Sequence, residues 1–133
     1  MKTLLKLTVI SLILVFSTNL TLVAQGDVFN KNLENSEKSL LSAINSENIG
    51  LSISSIQILG ELNSVNAVLP LMKVLHEGKS EETRIAASLS LYKIGDKRGI
   101  FALKMAAKHD NSERVRKMCD RFYIQYLLNK RIT

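Results

Sequence analysis

The sequence predicts an all-α chain, a short α-solenoid of three antiparallel helical hairpins, on three observations. The first is a near-repeat. Ile49 to Gly60, Arg84 to Gly95 and Arg116 to Leu127 overlay as three helical copies, with small residues three positions in and apolar ones seven and ten positions in. The offsets are 84 − 49 = 35 and 116 − 84 = 32, the spacing at which self-similarity signals stacked helical units. The second is composition: one proline, six glycines and few aromatics in 133 residues supply too little turn chemistry for a β fold. The third is periodicity, since apolar residues recur at helical spacing and no stretch alternates convincingly as a strand. With 46% apolar and 23% charged residues, the length suits one domain with its own core.

Taken in order, the N-terminus reads as a targeting segment. Lys2 and Lys6 precede the apolar run Leu7 to Phe16, and Ser17 to Gln25 turns polar around the small residue Ala24. That is the layout of a signal peptide over residues 1–24, cut before Gln25, which makes the chain exported, periplasmic or secreted. Leu22 departs from it, because a small residue is usual three positions before the cut. The rival reading is an uncleaved anchor. Leu7 to Ala24 is an uncharged run close to the length that crosses a bilayer, roughly 20 residues, although Ser11, Ser17, Thr18, Asn19 and Thr21 dilute it. No cysteine stands next to the apolar run to carry a lipid. Membrane contact is expected only through this segment.

Residues 25–133 hold six helical segments, paired as hairpins over about 28–62, 65–95 and 98–129. The first helix, about Val28 to Asn45, carries Phe29, Leu33, Ser36, Leu40 and Ile44 on one stripe. The second, about Asn48 to Leu62, is apolar nearly all round and should be buried between neighbours. The third, about Val65 to His76, contains Pro70, which near a helix start forfeits at most one early hydrogen bond and leaves a slight kink. Gly78 then stops the chain, and Ser80 caps a fourth helix over about Glu81 to Ile94. Glu81 and Glu82 lie in its first turn, where negative charge meets the positive end of the helix dipole, and Gly95 ends it. The fifth, about Arg98 to Lys108, places Ile100, Leu103, Met105 and Ala107 inside. The sixth begins at Asp110, which with Glu113 resembles a capping box, and runs to about Asn129 with Val115, Met118, Cys119, Phe122 and Tyr126 inward. Short joints make neighbouring helices antiparallel.

The stretch TRIAASLSLYKIGDKR at residues 83–98 resembles the HEAT repeat family, especially the HEAT-like variety first described in phycobilisome lyases. Asp110 to Cys119 resembles the start of the next repeat's second helix, with an acidic cap followed by Val115-Arg116. In the first copy Ile49 stands where the arginine belongs. The resemblance covers residues 45–128 and implies a right-handed α-α superhelix. It also implies a polar ladder between a loop aspartate and helix arginines, mapping onto Asp110, Arg84 and Arg116 as scaffold residues.

The residues themselves offer no catalytic constellation. His76 and His109 sit at helix ends, at what look like equivalent repeat positions, and neither has a second ligand at metal spacing. No serine lies in a G-x-S-x-G setting, and no glycine-rich loop is present to hold phosphates. Cys119, the single cysteine, excludes an intrachain disulfide and falls on the small-residue position that Ala87 holds, so it reads as a packed thiol. No cofactor, no metal, no small-molecule substrate and no enzymatic activity are expected.

Charge is unevenly spread. Residues 25–83 carry 4 basic and 8 acidic side chains (−4), whereas residues 84–133 carry 12 basic and 4 acidic (+8). On the sixth helix Arg114, Lys117 and Arg121 leave the core stripe, and Ile124 and Leu128 continue their face. These five are the candidate partner-binding residues. The expected function is a protein-binding scaffold of the cell envelope using the concave face of the second helices, open to oligomerisation. Two other classes stand beside it. The basic half suits an anionic surface such as lipid or polysaccharide, with nucleic acid disfavoured by export. The lyases that share the repeat suggest an enzyme or enzyme subunit.

Overall fold

Every regular element among the described residues, 30–132, is helical in the computed structural model. The chain divides into two units, Met1–Ser36 and Glu37–Thr133. Residues 1–24, expected from sequence to be a targeting segment, and Val28 and Phe29 of the first predicted helix lie outside the described residues. Of the first unit, residues 30–36 form the opening turns of a helix over residues 30–43 (α1), where Ser36 Oγ donates back to the Asn32 carbonyl at 2.8 Å. Leu33, placed on the inward stripe from sequence, is exposed.

In the second unit follow α2 (Ile49–Glu61), a 3₁₀ turn (Val65–Ala67), α3 (Val68–Glu77), α4 (Glu81–Ile94), α5 (Lys97–His109) and α6 (Glu113–Ile132). α2, α4 and α6 pack side by side in one row, α3 packs on α5 in another, and the hairpins α3–α4 and α5–α6 join the rows. Ile56, Leu59, Leu71, Leu91, Leu103 and Val115 fill the space between them with no exposed surface to speak of. Stacked hairpins of this kind bury one continuous core that a single hairpin lacks the surface to build.

The helix ends reveal the repeat length. Asn48, Ser80 and Ser112 are the N-caps of α2, α4 and α6, their side-chain oxygens accepting from the amides of Leu51, Thr83 and Val115 at 3.1, 3.1 and 3.3 Å. Their spacing is 80 − 48 = 112 − 80 = 32. The same interval separates the left-handed positions Asn63 (φ 51°) and Gly95 (φ 69°), the N-caps Ser64 and Asp96, and the C-caps Gly78 and Asp110. Buried small residues keep it too: Ser55, Ala87 and Cys119. The first copy read from sequence is therefore displaced by three positions. Ser52, not Ile49, takes the arginine position, and Asn63, not Gly60, corresponds to Gly95.

Gly60 misled because glycine does two different jobs here. Gly95 supplies a positive φ at a helix end. Gly60 lies inside α2 against α4, where a Cβ would meet Ser90 Oγ at 2.6 Å and Ser90 Cα at 2.8 Å. It is a contact glycine, and Ser90 Oγ closes the same contact by donating to the Ile56 carbonyl at 2.8 Å.

Four further expectations change. α2 is not buried all round, because Ile49, Leu51, Ile58 and Leu62 are exposed. The third segment is split: residues 65–67 wind as a 3₁₀ turn and the α-helix starts at Val68, which puts Pro70 in the first turn, where its missing N–H would have had no intrahelical partner. Met105 is exposed rather than inside α5, and its neighbour Phe101 projects outward with it. α6 starts at Glu113 behind Ser112, while Asp110 serves as the C-cap of α5.

Candidate functional site

Two adjoining features of the α5–α6 end bear on function: a buried polar ladder and an exposed stripe. Asp110 is the centre of the first. Its carboxylate accepts from Arg84 Nε (3.0 Å, to Oδ2), from Arg84 Nη2 (3.1 Å, to Oδ1) and from the Ser112 amide (2.8 Å, to Oδ1). The pair is two-pronged and nearly out of water, the side chains being 13% and 8% exposed. The third donor of Arg84, Nη1, reaches the Gly78 carbonyl at the end of α3, 2.9 Å away. One side chain thus closes its own hairpin turn and grips the next hairpin.

Arg116, one repeat further on, makes half of this arrangement. Its Nη1 donates to the Asp110 carbonyl at 2.6 Å, just as Arg84 donates to Gly78 at the matching position. Nε and Nη2 of Arg116 have no protein partner among the described residues. In the first hairpin the small side chain of Ser52 reaches back in a similar way, its Oγ donating to the Ile44 carbonyl at 2.6 Å, two residues before the matching position Ser46.

The stripe on α6 consists of the five residues singled out from sequence. Arg114, Lys117, Arg121, Ile124 and Leu128 recur at three- and four-residue steps on one face of the helix, and all five are exposed. Arg114 lies near Glu82 (3.4 Å) and Glu81 (3.9 Å) of α4, and Lys117 pairs with Glu113 at 2.7 Å. These pairs temper the positive field at the upper half of the stripe. Arg121 has no such partner among the described residues. Beneath the stripe, Phe122 stacks on Tyr92 of α4, ring centres 5.6 Å apart, and Lys104 lies 6.0 Å from the centre of the Tyr123 ring.

Elsewhere the α3–α5 row carries an open groove of about 700 Å³, lined by Leu75, His76, Arg84, Phe101, Met105 and His109 among others. Both histidines border it, though they are not repeat equivalents: the cap-to-cap interval places His109 opposite Glu77. No cluster of His, Cys, Asp and Glu among the described residues is arranged to hold a metal ion. Cys119 is fully buried against Ser88, and burial pushes its thiol up to about 11, with the nearby Asp110 carboxylate adding to the rise. Burial and the raised value both disfavour the thiolate, the reactive form of cysteine.

Periodicity missed the apolar residues at the opposite end of the helix row, Leu51 and Ile58 of α2, because helical spacing marks a face as apolar without saying whether a neighbour covers it. No helix among the described residues is long and apolar enough to cross a membrane. Among known proteins, the family model for HEAT repeats matches residues 37–119, from late α1 through Cys119 of α6. No curated protein and no solved structure matches the chain.

Proposed function

The chain belongs to the HEAT-repeat family, whose members are generally protein-interaction scaffolds, and from that premise we propose that it is a non-enzymatic protein-binding adaptor of the cell envelope. The observation that carries this reading is the exposed stripe of α6. Its basic upper part and its apolar lower part, Ile124 and Leu128, form a mixed exposed face on one helix, whereas a face that meets only water is served by polar residues. The envelope placement rests on the signal-like segment at residues 1–24. The partner-facing surface is the row of second helices, α2, α4 and α6, continued over the stripe.

Affinity capture tests it, with the chain compared against an Ile124→Asp/Leu128→Asp variant as bait in an envelope fraction. A partner held by the wild-type chain, lost by the variant and retained at high salt is the expected result. Identical captures by both chains would overturn the assignment of the site. The competing electrostatic reading, suggested by the +8 charge of residues 84–133, predicts the reverse salt behaviour. Binding to anionic vesicles would then fade steeply as ionic strength rises. The ion pairs of Arg114 and Lys117 favour the protein partner over the charged surface, since they already neutralise part of that field.

A further inference from the structure

We propose that the chain stacks head to tail with a second copy of itself, the α2 edge of one copy seating on the α6 edge of the next. This deepens the scaffold reading and rests on it, naming the first occupant of the same end face. The template is internal. Within the molecule, α4 meets the following hairpin through Arg84, which grips Asp110, and Tyr92, which stacks on Phe122. The positions one repeat later are Arg116 and Ile124. Arg116 leaves unused the same two donors that Arg84 commits to Asp110, and Ile124 is 47% exposed.

The other end shows the converse. α4 meets α2 through Ser90, whose Oγ donates to the Ile56 carbonyl, and the buried Thr83 lies two turns before it on α4. The positions one repeat earlier are Leu51 and Ile58, which are 50% and 42% exposed, in a place that inside the stack a neighbouring helix covers. Among the described residues, both ends of the α2–α4–α6 row therefore present as exposed side chains the register positions by which its own helices join. An incoming copy also brings a carboxylate. Ser46 stands two repeats before Asp110, and the exposed Glu47 follows it in the turn before α2, in place to answer the Arg116 fork.

Local charge favours the same pairing, because the exposed Glu47 before α2 is opposite in sign to Arg116 and Arg121 of α6, so unlike ends attract where two α6 ends would repel. A head-to-tail contact uses two different surfaces and leaves one of each free, so it propagates rather than closing as a two-fold dimer would.

Directed cross-linking tests the proposal on the full chain, held in non-ionic detergent micelles so that residues 7–24 are accommodated. Ile58→Cys and Ile124→Cys are made separately, each with Cys119→Ala, and oxidised alone and mixed. The mixture is expected to give a disulfide-linked dimer in several-fold excess over either variant alone. Adding Arg116→Glu to the Ile124→Cys chain should lower that yield, and Glu47→Lys on the other chain should restore it. The proposal is overturned by a mixture that links no better than the separate variants while both cysteines react with a maleimide. It is equally overturned if Ile124→Cys links to itself as readily as to Ile58→Cys. Either result, obtained while the α6 stripe still captures a different protein, removes the stacking and leaves the scaffold reading standing.

Discussion

Asp110 does more for this fold than its position in a short turn suggests. It caps α5, holds the Ser112 amide at the entry to α6 and accepts two bonds from Arg84 of the previous hairpin. Removing it with Asp110→Ala strands a guanidinium that is 13% exposed, so the unfolding free energy should fall by about 3 kcal/mol, measured by urea denaturation. Arg84→Met added to that variant should recover part of the loss by removing the stranded charge, and simple additivity would show that the two residues do not act as a pair. Cys119 supplies a prediction in pH. Its folded value, about 11, is raised above the ordinary 9.0, so its contribution is fully present below pH 9 and disappears as pH rises towards 11. Melting temperature followed from pH 8 to 11 should therefore drop more steeply for the wild-type chain than for Cys119→Ala, and parallel curves would show that the thiol is not buried. Asp110 was legible as a loop acid and Cys119 as a packed small residue. Their meeting was not, because a carboxylate in a turn and a thiol well inside the next helix become neighbours only through the α5–α6 joint and the approach of Arg84 and Ser88 from α4.

The six helices could be counted from apolar spacing, and their ends could be placed where a cap residue announced them. Ser80 and Gly95 mark α4 to the residue, since an oxygen side chain and a residue free to take positive φ are what a helix start and stop require. The first hairpin was harder. Matching glycine to glycine paired Gly60 with Gly95, whereas matching caps, Asn48 with Ser80 and Ser112, would have found the true period without a structure. The expected burial of α2 is too high for a related reason: a helix rich in isoleucine and leucine on several faces looks internal, yet its packing partners are α4 and the end of the first helix around Ile44. That contact makes a prediction of its own. Gly60→Ala puts a methyl within 2.8 Å of the Ser90 backbone, which no side-chain rotation relieves, so α2 and α4 must separate. A loss of about 1–3 kcal/mol in thermal or chemical melts is expected. An unchanged stability would mean that the two helices do not approach so closely.

At the scale of the whole molecule, the architecture follows from the repeat and the function does not, because a repeat specifies how hairpins join and leaves the exposed faces free to vary. Sequence located the α6 stripe correctly as a surface feature, through charged residues interrupting the apolar pattern and two apolar residues continuing their line. It placed Leu51 and Ile58 in a helix expected to be buried, whereas both are exposed, since apolar spacing does not say which faces a neighbour covers. The far-ultraviolet circular dichroism spectrum should be dominated by helix, and the open ends predict behaviour that depends on concentration, with light scattering growing as the chain is concentrated at low salt. A monomer of constant size over that range would be evidence against any end-to-end contact.

The regular spacing of the caps has one more consequence. Because Ser80 and Ser112 present the same side chain in the same role, residues 81–112 form a cassette whose two joints are chemically interchangeable. Inserting a second copy of that cassette after Ser112 should add one hairpin without disturbing any existing turn. The duplicated Asp110 would then fall opposite a duplicated Arg84, renewing the bond on which the present stack ends. Such a chain should melt higher than its parent, since each interior hairpin in a linear array gains a neighbour on either side. Length, in this molecule, is an adjustable quantity counted in whole hairpins.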